Sequence, residues 1–233
     1  MKQTDKGILI NRISYGDSSF IITFYTLEKG IQKFIFQGVK KKKIPVFPLL
    51  VAEITYYKRP DSELGKLTNI DAKNQLLELS FHPIKSIISF FIADVLNKCL
   101  KHEEQDEELY YFLEKFILHL NEEEELAHLP VFFLTEFSKH LGVSPNIDSI
   151  DDSLYFNVID GEFSSIRPAG DIYYEGDTAK LIFCLYENDL KSNIFNKMDR
   201  KKALDAMIQY YQIHIPQFGN LTSLPIIYDI LYA

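Results

Sequence analysis

The chain reads as an α+β protein, a small N-terminal β-barrel followed by a mainly α-helical domain that carries one β-hairpin. Three observations predict this. Up to about residue 72 the apolar side chains come in short β-branched and aromatic runs cut by glycine and polar turns, the pattern of antiparallel strands. From about residue 76 the apolar period becomes that of helices. The charge changes sign at the same place: residues 1–80 hold 13 Lys and Arg against 8 Asp and Glu, residues 81–233 hold 12 against 25. The expected domains are therefore 1–80 and 81–233.

Residues 8–15 form the first strand, ended by Gly16-Asp17-Ser18-Ser19, and residues 20–27 the second. Glu28-Lys29-Gly30 supplies a turn whose glycine can take positive φ. Residues 31–37 form a third strand, and a basic loop leads past Pro48 to a fourth over 49–57. A fifth, 67–70, follows the turn residues Pro60-Asp61-Ser62 and Gly65. Five short strands in so little chain are the arrangement of an OB-fold barrel.

The helices follow. Ile84, Ile87, Ile88, Phe91 and Val95 mark one that starts after Pro83, a residue suited to a helix's first turn. In 107–120 the positions Leu109, Phe112, Leu113, Phe116, Ile117 and Leu120 keep helical spacing. Residues 126–141 form a third, stopped by Gly142 and Pro145. Residues 155–159 and 162–166 are strand-like runs around Asp160-Gly161, a two-residue hairpin signal. Residues 179–186, 200–214 and 224–231 read as further helices, with Pro216 and Gly219 between the last two.

Composition narrows the class. With 46% hydrophobic and 25% charged residues among 233 the chain is an ordinary folded protein. Cys99 and Cys184 lie far apart on apolar helix faces, which predicts buried thiols and no disulfide framework. No apolar run is long enough for a signal peptide core or a membrane span, so the expected place is the cytosol. Enzymatic signatures are missing: Gly65-Lys66 has Pro60 where a phosphate-binding loop needs its first glycine, and there is no nucleophile elbow, Cys-x-x-Cys pair or His-Glu metalloprotease helix. The six histidines, His82, His102, His119, His128, His140 and His214, read as surface or helix-end residues. No catalytic residue, metal or cofactor is expected.

What remains is charge. A net −8 argues against a nucleic-acid partner, but the barrel alone carries +5. Lys40, Lys41, Lys42 and Lys43 stand together in the loop between the third and fourth strands, an electrostatic footprint for phosphates that Arg12, Lys33, Lys58 and Arg59 extend. Tyr15, Phe34 and Phe36 are aromatic enough to stack on bases, though strands use such residues mainly as core. Arg200, Lys201 and Lys202 form a second cluster near a helix start, where cations oppose the macrodipole and an anionic partner would relieve them. An RNA-binding or ribosome-associated barrel, and an acidic structural adaptor with an incidental lysine loop, are the competing readings.

Several of these stretches resemble the RecO recombination mediators of bacteria, in the form found in Bacteroidetes. Gly7-Ile8-Leu9-Ile10, Tyr15-Gly16-Asp17-Ser18-Ser19 and the run 24–30 are similar to that family's opening hairpin. The run 38–43 resembles its Gly-Ala-Arg basic motif, Phe47-Pro48-Leu49-Leu50 its return strand, and 210–216 a late helix. The resemblance implies binding of single- and double-stranded DNA, annealing of complementary strands without nucleotide hydrolysis, and help in placing RecA on SSB-coated DNA. It implies RecR and the SSB C-terminal tail as partners, association with the nucleoid, and DNA contact by the basic loop at Lys40 and its neighbours. Many members also hold zinc on four cysteines, whereas residues 142–170 here contain none.

Overall fold

The computed structural model describes residues 2–38, 46–59, 62–72, 76, 79–100, 105–147, 154–170, 172–187 and 195–233. By packing, the chain forms two compact units, one of residues up to Glu124 with Leu221–Ser223, the other of Glu125–Asn220 with Leu224–Ala233.

The first unit is built on a closed five-stranded barrel, β1 (Lys2–Tyr15), β2 (Ser19–Thr26), β3 (Gly30–Gln37), β4 (Val51–Tyr57) and β5 (Leu64–Ala72), in the order β1-β2-β3-β5-β4. β1 is long because it serves two neighbours. Its first half pairs with β4 from Lys2↔Tyr57 to Ile8↔Val51, its second with β2 from Gly7↔Thr26 to Tyr15↔Ser19, with a bulge between Leu9 and Asn11. A parallel pairing, Lys33↔Leu64 to Phe36↔Leu67, completes the ring. This is the strand order of the expected OB-type barrel. The core is the inward half of the alternation: Leu9, Ile22, Phe24, Phe34, Phe36, Leu50, Ala52, Ile54 and Tyr56 are all buried. The rings interlock, Phe34 lying 4.7 Å from Tyr56 and 6.3 Å, edge on, from Phe24.

Three strand starts differ from expectation. β1 begins at Lys2 and not at residue 8, drawn out by its pairing with β4. β4 starts at Val51, because Leu49 has φ of 62° and belongs to a turn. Leu49 N donates to Leu9 O and Leu9 N to Leu50 O, both at 2.9 Å, so this apolar stretch docks on β1 before the strand begins. β5 reaches back to Leu64, since Gly65 lies under the Phe34 ring; a Cβ there would sit 2.7 Å from Phe34 Cδ1. The turn before β3 behaves as expected, with φ of 61° at Gly30.

Two helices belong to this unit. α1 (Pro83–Cys99) is capped by His82, whose Nδ1 accepts from Lys85 N at 3.2 Å, and α2 (Glu107–Glu122) by Asp106, whose carboxylate accepts from Leu109 N at 3.0 Å. Tyr25 OH of the barrel donates to Asp106 O at 3.2 Å, so the residue that caps α2 also anchors it.

The second unit contains α3 (Leu129–His140), α4 (Asp177–Tyr186), α5 (Lys197–His214) and α6 (Leu224–Leu231). α3 begins three residues later than the apolar spacing suggested, with His128 at its cap position and Pro130 in its first turn. α5 begins at Lys197 under an Asn196/Asp199 capping box, so Arg200 lies one turn inside the helix. Tyr211 OH donates to Leu134 O at 2.8 Å, and Ser138 and Tyr186 share a buried hydroxyl contact of 2.8 Å, tying α3, α4 and α5 together.

The expected hairpin is part of a larger element. β7 (Tyr155–Asn157) and β8 (Glu162–Ser164) pair antiparallel, but β6 (Asn146–Ile147) and β9 (Tyr173–Glu175) extend them to a sheet of order β6-β8-β7-β9. The connection spans 158–161 and is not a two-residue turn. Asn157 Oδ1 accepts from the amides of Ile159 and Asp160, at 3.0 and 3.2 Å, and Gly161, at φ 67°, returns its N–H to Asn157 O.

Candidate nucleic-acid interface

The outward half of the barrel's alternation makes a continuous row across all five strands. Ile13 on β1 pairs with Ile21 on β2, Ile21 with Ile35 on β3, Ile35 with Lys66 on β5, Lys66 with Tyr57 on β4, and Tyr57 with Lys2 back on β1. Ile13 and Tyr57 are 58% and 49% exposed. A neighbouring row sets Lys33 beside Leu64, which is also exposed.

At the β4–β5 end the cations converge. Ile35, Tyr57, Lys58, Arg59, Leu64 and Lys66 line an open recess of about 420 Å³. Lys58 is half-buried, and its Nζ donates to Gln32 Oε1 at 2.6 Å. Burial, then the neighbouring Lys29, lowers its pKa, while Glu63 opposes that drift. Arg59 and Lys66 are exposed. An exposed tyrosine among cations offers a π-face for a base and counter-charges for phosphates, the two elements of single-strand binding.

Arg12 is placed elsewhere. Its Nη1 donates to Val46 O at 2.6 Å and its guanidinium lies 5.6 Å from the Phe20 ring centre. Lys33, Lys58 and Arg59 thus share one region of the barrel, joined by Lys66, and Arg12 belongs to another. Lys40, Lys41, Lys42 and Lys43 lie outside the described residues. Of the residues on either side of that stretch, Gln37 pairs with Ser19 at the β1–β2 turn, and Val46 O accepts from Arg12.

The aromatic candidates separate. Phe34 and Phe36 are wholly buried, whereas Tyr15 is 55% exposed. Tyr57, Leu64 and Lys66 were missed by sequence reasoning. The signal was present: once Phe34 and Phe36 point inward, period-2 alternation turns Ile35 outward, and pairing carries that face to Lys66 and Tyr57.

The second cluster has internal partners. Arg200 Nη1 donates to Phe195 O at 2.5 Å, and its Nε is buried without a hydrogen bond. Lys201 Nζ is 3.4 Å from Asp205 Oδ2 and 4.6 Å from the Tyr228 ring centre. Lys202 is exposed.

Among the described residues no three His, Cys, Asp or Glu side chains group as metal ligands, and no helix is long and apolar enough to cross a membrane. Residues 142–170 carry no cysteine, so the small sheet does not fit a four-thiolate zinc site. Aromatic packing holds it instead. Phe156 stacks on Phe163 at 4.6 Å and meets Tyr210 of α5 at 5.6 Å. Tyr210 OH donates to Val143 O at 2.6 Å and His214 Nε2 lies 2.8 Å from Val158 O. Burial pushes the Tyr210 phenol up to about 12, so it stays a donor at any physiological pH.

Comparison with known proteins accounts for both halves. The family model described as recombination protein O N terminal matches residues 1–76, and that described as recombination protein O C terminal matches 81–224. The chain is 28% identical over 239 residues to the DNA repair protein RecO of Phocaeicola vulgatus, covering 99% of each. It is 28% identical to that of Bacteroides fragilis, again over 99% of each, and 27% to that of Christiangramia forsetii, over 97%. With both parts matched in order along nearly its whole length, the chain belongs to the RecO family of DNA repair and recombination proteins.

Proposed function

We propose that this protein is a recombination mediator that works by binding and not by bond-making chemistry. It binds single- and double-stranded DNA on the barrel (1–80), brings complementary strands together, and with RecR helps RecA replace SSB. The helical part (81–233) takes up protein partners, among them the acidic SSB tail at Arg200, Lys201 and Lys202. The observation that carries this reading is the recess of Lys58, Arg59, Lys66 and Tyr57 on the barrel, in a family of DNA repair proteins.

The physics needs no catalytic side chain. Phosphate neutralisation releases counter-ions and binds any strand, and a surface that holds two strands raises their local concentration so that pairing becomes effectively intramolecular. Lys40, Lys41, Lys42 and Lys43 are proposed to add to this surface, with Arg12, Lys33, Lys58 and Arg59.

Changing Lys40–Lys43 to alanine together is expected to weaken single-strand binding and flatten its salt dependence by roughly 3 log units per log unit of salt, about 0.7 per lost phosphate contact. Fluorescence anisotropy over a salt series measures this, and an unchanged slope rules the loop out. Competition of RNA against DNA tests the ribosome-associated alternative. Strand cleavage in added magnesium that is lost on changing specific carboxylates would refute the non-enzymatic reading.

A further inference from the structure

A second recess in the first unit, on the barrel side that carries Arg12, has a different character. It lies between β1 and α1 and has a volume of about 570 Å³. That volume falls within the range of sites that hold small organic ligands. Its walls combine one exposed aromatic ring, two cations and two carboxamides: Phe90, Arg12, Lys98, Asn11 and Asn97.

The polar groups there are not used up. Asn11 Nδ2 donates to Asn97 Oδ1 over 3.4 Å, a long bond that leaves both amides further donor and acceptor capacity. The one acid in the wall, Asp94, is committed: Oδ2 accepts from Ser223 N, Ser223 Oγ and Thr222 Oγ1 at 2.9–3.0 Å. With Asp94 anionic but turned to these donors, the lining keeps an excess of one positive charge beside amide edges and a π-face, which together match a nucleotide: phosphate, base edge and base plane. A duplex keeps its base planes stacked inside, so only an unpaired nucleotide can use all three.

We propose that the β1–α1 recess holds one unpaired nucleotide of a single DNA strand, with Phe90 against the base, Asn11 and Asn97 on its edge, and Arg12 and Lys98 on the adjoining phosphates. The recess makes the protein's grip on single strands stronger than its grip on duplex. This rests on the reading of the barrel as a DNA-binding surface.

The test uses the full-length protein and a short oligothymidine carrying one 2-aminopurine. Binding of the single strand is expected to change the 2-aminopurine emission. Phe90→Ala is expected to abolish that change and weaken single-strand binding about tenfold, the cost of one lost stacking contact, with duplex affinity unchanged. Phe90→Tyr retains the wild-type behaviour, and Phe90→Leu, which keeps apolar bulk without a π-face, behaves as the alanine variant. Lys98→Gln lowers the single-strand salt slope by about 0.7. Single-strand binding by the wild type that is insensitive to Phe90, or a leucine variant equal to wild type, overturns the recess alone. A wild-type protein that binds neither single strand nor duplex overturns the DNA-binding reading beneath it as well.

Discussion

At the scale of single residues, burial decides which charges and rings are available. Phe34, Phe36 and Tyr15 look alike in sequence, yet two are core and one is exposed. Asp5 shows the same effect on charge. It is a buried carboxylate on β1 whose Oδ1 and Oδ2 accept, at 3.3 and 3.4 Å, from the Glu28 amide. Burial raises its pKa above the usual 3.8, with Glu28 adding repulsion, against the lowering influence of Thr26 and of backbone donors. The folded state thus holds the Asp5 proton more tightly than the unfolded one, and the stability this gives is lost as pH rises from below 3.8 through the raised value. Asp5→Asn, which keeps an acceptor for Glu28 N, is expected to raise Tm at neutral pH, with the gain shrinking toward pH 4 in thermal melts. Gly65 makes a steric prediction. Gly65→Ala drives a methyl to within 2.7 Å of the Phe34 ring and is expected to cost about 1–3 kcal/mol in urea unfolding.

At the scale of elements, the helices were legible because their apolar stripes and caps are local. α2 starts at Glu107 as its spacing required, and α1 at Pro83. What local pattern missed was pairing at a distance. β6 and β9 have two and three residues, too few to show a period, and exist because β7 and β8 offer open edges. The Asp160-Gly161 signal marked the right turn but the wrong length, since Asn157 widened it by capping two amides. The sheet is attached to α5 by packing and hydrogen bonding through Tyr210 and His214. Treatment with a strong zinc chelator is therefore expected to leave Tm and the far-ultraviolet spectrum unchanged. Tyr210→Phe, which leaves the Val143 carbonyl without its donor, is expected to cost about 1 kcal/mol and to speed amide exchange in residues 143–147 and 155–164.

At the scale of the whole molecule, charge and packing divide the chain differently. The contrast between residues 1–80 and 81–233 is large, but the compact unit up to Glu124 holds 17 Lys and Arg against 18 Asp and Glu. The proposed DNA binding by such a nearly neutral unit would depend on where its charges lie, and that dependence is short-ranged. Annealing of complementary strands is accordingly expected to fall steeply between about 50 and 200 mM salt, by more than net charge would suggest, since the screening length shrinks to about 8 Å near physiological ionic strength. Stopped-flow quenching of labelled strands measures it. By itself the sequence determined the classes of element, the five-strand barrel, the change of period near residue 76 and the family, because propensity, periodicity and motif are properties of neighbours along the chain. Tertiary structure alone decided that Lys66 and Tyr57 join Lys58 and Arg59, that Arg12 leaves that group for the recess with Lys98, and that Arg200 turns inward to Phe195. The reason is that local alternation gives a side chain's face, whereas which side chains become neighbours on that face follows from strand register and helix packing, which couple residues far apart in sequence.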